Sequence, residues 1–242
     1  MSLNLEEARK RLILALDVAG LDEANKLLDK IQGKVGLVKV GLELFTACGP
    51  AAVKAVRDRG INVFLDLKLH DIPATVAGAV RSALALDVAM LTVHTGGSTE
   101  MLKSASREAG SALKILGVTL LTSMGEDDLA PVCLTGKPTE IVVARATLAA
   151  KCGLGGIVCS PKEVRIVREA VGRDVSIITP GIRPSGAAMG DQKRAATPAS
   201  AIEDGADYLV VGRPIRGADS PADAADSIVE EIAIALSKRN NR

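Results

Sequence analysis

Residues 62–75 read Asn-Val-Phe-Leu-Asp-Leu-Lys-Leu-His-Asp-Ile-Pro-Ala-Thr, and the first seven of them decide the fold. Val63, Leu65 and Leu67 alternate with Phe64, Asp66 and Lys68, so a strand here turns an aliphatic face one way and a face ending in two opposite charges the other. The stretch is mostly apolar, as expected for a strand buried on both faces of a parallel sheet. The leucine face suits a covering layer of helices. Asp66 and Lys68 then project toward the strand's C-terminal end.

Seven further runs of the same character flank this one. Leu12–Asp17 and Leu37–Gly41 precede it, and Ala89–His94, Lys114–Thr122, Gly156–Cys159, Ser176–Thr179 and Tyr208–Gly212 follow. Helix punctuation separates them. Pro50 opens and Gly60 closes one segment, Ser160-Pro161 and Gly172 bracket a second, and Thr197-Pro198 and Gly205 a third. Proline is harmless in a first turn, where its missing N–H has no helical partner, and glycine is favoured just past a helix end, where φ turns positive. Leu21, Ala24, Leu27, Leu28 and Ile31 recur at helical spacing, with Gly33 as the stop. Eight strands alternating with helices, with no Pro/Ser-rich linker, predict a single (β/α)8 barrel domain over residues 1–242. A doubly wound open sheet is the competitor, but Asp17-Val-Ala-Gly-Leu-Asp after the first run lacks the G-x-G-x-x-G expected there.

Composition narrows the function classes. Thirty basic against 29 acidic residues, a net charge of +1, argue against a surface that coats a polyanion. Phe45, Phe64 and Tyr208 are the entire aromatic complement, too few to stack successive bases, so no nucleic-acid polymer is expected as a partner. Cys48, Cys133, Cys152 and Cys159 show no C-x-x-C spacing and read as free thiols. The acidic start Met1-Ser-Leu-Asn-Leu-Glu-Glu lacks the order of a secretory signal, and no apolar run approaches the roughly 18 residues that span a bilayer. A cytoplasmic protein without a membrane partner is the expectation. His70 and His94 are the sole histidines, so acid–base chemistry must lean on Asp, Glu or Lys.

Five charges sit where buried strands ordinarily avoid them: Asp17 ends the first run, Lys39 lies inside the second, Asp66 and Lys68 end the third, and Asp71 follows. In a barrel they would gather at the C-terminal mouth, where active sites of this fold lie. An internal salt-bridge lattice is the bland alternative. Burying each ion carries a penalty of several kcal/mol, and apolar replacements are often as stable, so stability alone explains five such residues poorly.

The segment Asp66-Leu-Lys68-Leu-His-Asp71-Ile-Pro-Ala-Thr75 resembles the D-x-K-x-x-D motif of the orotidine 5′-monophosphate decarboxylase family in its bacterial form. LALD ending at Asp17, LVKVGLELFTACGP with Lys39, LTSM at 121–124, CGLGGIVCS, TPGIRP at 179–184, the Gly190-Asp-Gln192 turn and VVGRPI at 210–215 are similar to that family in the same order. The resemblance covers essentially the whole chain. It implies cofactor-free and metal-free removal of CO2 from C6 of orotidine 5′-monophosphate, giving uridine 5′-monophosphate in the last step of de novo pyrimidine synthesis. Asp66 would press against the departing carboxylate, and Lys68 would stabilise the carbanion and protonate it. Asp17 and Lys39 would hold ribose hydroxyls, and Thr122 the pyrimidine. Asp71, Ile72 and Thr75 would serve the partner subunit's site, which implies a homodimer with shared active sites.

The phosphate needs its own site. Gly181-Ile-Arg183 follows the seventh run and Gly212-Arg213 the eighth, where such barrels commonly bind phosphate. Arg213 would pair with the dianion, with Arg183 and Gly212 beside it, and Gln192 would contact phosphate or bridge to the base. The nearest rival is a Mg²⁺-dependent relative that also carries D-x-K-x-x-D, such as 3-keto-L-gulonate 6-phosphate decarboxylase or hexulose-phosphate synthase. Those relatives have a metal-binding Glu on the second strand, whereas this chain has Lys39, whose ammonium cannot ligate a hard cation.

Overall fold

In the computed structural model, which describes residues 4–184 and 196–240, the alternating faces of the apolar runs form two separate hydrophobic layers. Eight parallel strands lie among these residues: β1 (Leu12–Ala15), β2 (Leu37–Gly41), β3 (Asn62–Leu69), β4 (Met90–His94), β5 (Lys114–Val118), β6 (Gly156–Val158), β7 (Ser176–Thr179) and β8 (Tyr208–Val211). They follow chain order around a closed barrel, and β1 pairs with both β2 and β8, so no edge is left exposed. Leu12, Leu14, Val38, Val40, Val63 and Leu65 face outward into the layer shared with the helices. Ile13, Leu37, Phe64, Met90, Leu116 and Ile178 face inward and fill the barrel. The lower interior is therefore a packed core, and open space begins only above it. On the barrel floor, the Lys114 ammonium lies 5.6 Å from the centroid of the Tyr208 ring.

The helix punctuation acts as read. Helices Pro50–Arg57, Pro73–Ala85 and Pro198–Asp204 each begin on proline, and Gly205 ends the last with φ at 115°. Leu21–Lys30 buries Ala24, Leu27 and Leu28 beneath Gly33, which also has positive φ. No helix among the described residues is long and apolar enough to cross a membrane.

Four runs shift by a single residue at one end, and three boundaries differ by more. The first run was expected to continue as strand through Asp17, but its ladder ends at Ala15. The fifth was expected to reach Thr122, but it stops at Val118 because its neighbour β6 ends at Val158. There Thr119 gives both its N–H (3.3 Å) and its hydroxyl (2.9 Å) to the Val158 carbonyl, and no partner strand remains beyond. The segment opened by Ser160-Pro161 divides into a 3-10 turn, Pro161–Glu163, and a helix, Val164–Val171.

The largest irregularity is in the stretch that decided the fold. Leu65 pairs with Leu91 and Leu69 with Val93, so Asp66, Leu67 and Lys68 lie opposite the single residue Thr92. The bulge places Lys68 at φ 52°, in the left-handed region that non-glycine residues seldom occupy.

Candidate active site

Each charged position inherits its direction from the strand beneath it. Ala15 faces inward, and Asp17 stands above it on the same side. Lys39 follows Leu37 on the inner face of β2, and Asp66 follows Phe64 on that of β3. The result is a chain of alternating charge across the barrel mouth. Lys39 Nζ lies 2.9 Å from Asp17 Oδ1 and 3.6 Å from Asp66 Oδ2, and Lys68 Nζ lies 2.8 Å from the same Asp66 oxygen. The Lys39 and Asp66 side chains are only 12% exposed, against 46% for Asp17 and 30% for Lys68. The ends of the chain thus meet solvent while its middle is enclosed.

Burial by itself would raise the Asp66 carboxyl, but the charges of Lys39 and Lys68 and hydrogen bonds from Lys68 and Thr92 outweigh it and hold the group below the usual carboxylate range. Gly41 makes room for the array. A Cβ there would sit 2.8 Å from Lys39 Nζ and 3.2 Å from Asp17 Oδ1, too close for either atom to stay in place. Beside Lys68, the rings of His70 and His94 stand 5.7 Å apart. Burial is the main influence that lowers the His94 pKa, reinforced by His70, Lys68 and Arg145, which favours the neutral imidazole in the neighbourhood of the lysine.

Adjoining the array is a cavity of about 190 Å³ between the ends of β1, β2, β7 and β8. Asp17 and Lys39 line one side of it, and Arg183, Gly212 and Arg213 the other. Gly181 takes φ 82° in the turn after β7, and Arg183 leaves that turn with its N–H bonded to the Ala196 carbonyl at 2.9 Å. Arg216 also lines the cavity from the short helix Arg213–Arg216. The sequence reading did not single it out, although it lies one helical turn beyond Arg213 and reaches the same space.

Other expected site residues stand apart. Asp71, Ile72 and Thr75, at the entry to helix Pro73–Ala85, are all exposed, Ile72 by 66%. Asp71 accepts a hydrogen bond from the Ile72 N–H at 2.7 Å and is joined to no member of the array by an ion pair. Thr122 is half-buried in the turn beyond β5, with no hydrogen bond to the array. Gln192 lies outside the described residues. Thr92, buried completely on the inner face of β4, was missed by sequence reasoning, yet its hydroxyl bonds both Asp66 and the Lys68 backbone.

A further cavity, about 670 Å³, lies at the other end of the barrel among Arg168, Arg173, Asp207 and Arg239. Its Arg168 is committed to the carbonyls of Gly172, Val175 and Gly205 and to Asp207, so the arginine serves as strutwork between loops.

A closed parallel barrel with carboxylates and ammonium groups alternating across its C-terminal mouth defines the class: a (β/α)8-barrel enzyme with an acid–lysine site. The family described as "Orotidine 5'-phosphate decarboxylase / HUMPS family" matches residues 10–228, and the chain belongs to it. An orotidine 5′-phosphate decarboxylase of Anaeromyxobacter sp. (strain K) is 53% identical over 219 residues, covering 90% of this chain and 96% of that one. One of Moorella thermoacetica is 49% identical over 236 residues, 93% of each. The crystal structure of orotidine 5′-phosphate decarboxylase from Lactobacillus acidophilus superposes with a TM-score of 0.83 at 36% identity, covering 91% of this chain and 98% of that one.

Proposed function

We propose that this protein decarboxylates orotidine 5′-monophosphate to uridine 5′-monophosphate and CO2, the last step of de novo pyrimidine synthesis, within one barrel domain. The observation that carries the proposal is the Asp17–Lys39–Asp66–Lys68 chain, in which one carboxylate is held ionised between two ammonium groups. The family also includes hexulose-phosphate synthases, so membership alone does not choose the reaction. The relatives named above, each a decarboxylase of orotidine 5′-phosphate, favour this one.

The reaction leaves an electron pair at C6 as the bond to the carboxylate breaks, with no ring position able to delocalise it. Asp66 faces the substrate carboxylate and raises its energy. Lys68 offers its ammonium to the developing carbanion and transfers the proton to C6. Two unit charges about 4 Å apart interact by about 4 kcal/mol at an effective dielectric near 20. Enzymes typically lower barriers by about 8–23 kcal/mol, so repulsion supplies a minor share. Carbanion stabilisation and binding of the ribose phosphate supply the rest. Asp17 and Lys39 take ribose hydroxyls. Arg213, Arg183 and the Gly212 backbone take the phosphate in the adjoining cavity, Thr122 contacts the base, and Gln192 contacts the phosphate or bridges to the base. The exposed Asp71, Ile72 and Thr75 complete the site of a second copy in a homodimer, which accounts for a large aliphatic side chain left in solvent at the mouth.

The test is the absorbance loss as purified protein converts orotidine 5′-monophosphate, with and without EDTA. Turnover that persists under chelation is expected. Turnover that collapses with EDTA and returns with Mg²⁺ would overturn the metal-free reading, and no turnover in either arm would overturn the assignment.

A further inference from the structure

We propose that Thr92 is a positioning residue for decarboxylation, one hydroxyl that orients the Asp66 carboxylate and the Lys68 backbone together. The inference rests on the function proposed above and concerns how its two central groups are kept in place. Thr92 Oγ1 lies 2.9 Å from Asp66 Oδ1 and 2.9 Å from the Lys68 backbone nitrogen, and the side chain is wholly buried.

Donor and acceptor roles are forced here. A backbone N–H can only donate and an ionised carboxylate can only accept, while a hydroxyl has one proton to give and lone pairs to receive. Proton donation therefore runs one way, from Lys68 N–H to Thr92 Oγ1 and from Thr92 Oγ1 to Asp66 Oδ1. Such a relay polarises each bond in the favourable sense.

The fold makes this hydroxyl necessary at both ends. Three residues of β3 oppose one of β4, so the Lys68 N–H has lost its ladder carbonyl, and Thr92 supplies the replacement. Lys68 itself sits at φ 52°, a backbone state that persists only where its surroundings hold it. Meanwhile the two oxygens of Asp66 are divided, Oδ1 to Thr92 and Oδ2 to Lys68 and Lys39. A carboxylate bound on one oxygen alone could swing away from an arriving substrate carboxylate and relieve the repulsion. With both oxygens tied, the repulsion remains in the ground state, and the Lys68 ammonium stays aimed at the reacting carbon.

The experiment compares Thr92→Ser, Thr92→Cys and Thr92→Val in the full chain, with wild type run in parallel. Serine keeps the donor, cysteine keeps the size with a weaker donor, and valine keeps the shape with none. The expected order of kcat is wild type, Ser, Cys, Val. Ser should lie within about threefold of wild type and Val about 30-fold below it, with KM moving less than about threefold. If valine does not fold, the graded Ser-to-Cys step carries the same prediction.

The second readout is the pH profile of kcat. Asp66 is faced by Lys39 on β2, with Asp17 beyond it, by Lys68 on its own strand and by His94 at the end of β4. Losing the Thr92 bond removes support for the ionised form, so the acid limb should move to higher pH in Val and not in Ser. Wild-type kcat in a folded Val variant, an equal loss in Ser and Val, or a loss confined to KM with an unmoved acid limb would each overturn the proposal. Wild type turning over the substrate in those cases leaves the assigned reaction intact. A wild type without turnover overturns both.

Discussion

At the N-terminal end of the barrel, Arg168 donates to three backbone carbonyls and to Asp207, and Asp207 also accepts the Ile177 N–H. At the C-terminal mouth, the Lys39 and Lys68 ammoniums point at carboxylates instead, and the carboxylate between them is as enclosed as Lys39 and more so than either end of the array. The first arrangement uses charge to satisfy backbone groups of loops that enter the strands. The second sets charges against one another, so that a new anion or cation entering the mouth redistributes the whole chain. Similar residue types thus hold loops together at one end and, in the function proposed above, serve chemistry at the other.

The sharpest way to break this contrast is at Lys68. Lys68→Ala should lower kcat by at least about 10³-fold while uridine 5′-monophosphate binding, measured by calorimetry, stays within about tenfold. Near wild-type turnover would sink the proposed mechanism. An Asp71→Ala variant should also be impaired. In a homodimer of two-fold symmetry with shared sites, mixing the two variants should restore about a quarter of the sites. No recovery after demonstrated subunit exchange would count against sharing.

Next in size is the opposite end. Arg168→Ala should lower stability by about 2 kcal/mol, because several carbonyls and Asp207 lose their donor together, which in a chain of this length is about 4–8 °C in Tm. Its kcat per folded molecule should stay within about twofold of wild type. A kcat defect without a stability defect would erase the distinction between the ends.

The smallest effect is one of pH. The Asp66 carboxyl titrates lower in the folded protein than in the unfolded chain, so the unfolded chain takes up the proton first as the solution is acidified. Its contribution to stability is therefore fully present above about pH 4 and is lost as the pH falls through the native value. Denaturant titrations between pH 5 and 2 should show a shallower acid decline in Asp66→Asn than in wild type. Parallel declines would place the ionised group elsewhere.

Most of the fold was legible because an apolar strand with covered faces and a proline-to-glycine helix are local patterns. The charged residues were legible for the converse reason: Lys39 and Asp66 interrupt runs that should contain no charge. Strand ends were less so, since β5 stops where β6 stops, and that depends on a neighbour about 40 residues away. Thr92 was hidden altogether. In Ala89–His94 a threonine is an ordinary β-branched strand former, and its value arises only from the bulge in β3. Arg216 was obscured similarly, by being one charge among several after β8.

The single tyrosine has an optical consequence. Tyr208 lies on the barrel floor, half-buried beside Lys114, in a protein without tryptophan. Its emission reports on one place, the junction of β8 with its neighbours, at the far end from the charged mouth. Loss of barrel closure can therefore be followed by intrinsic fluorescence, while conversion of the proposed pyrimidine substrate can be followed in the ultraviolet with little protein background. The two signals separate unfolding from turnover in one cuvette without any label.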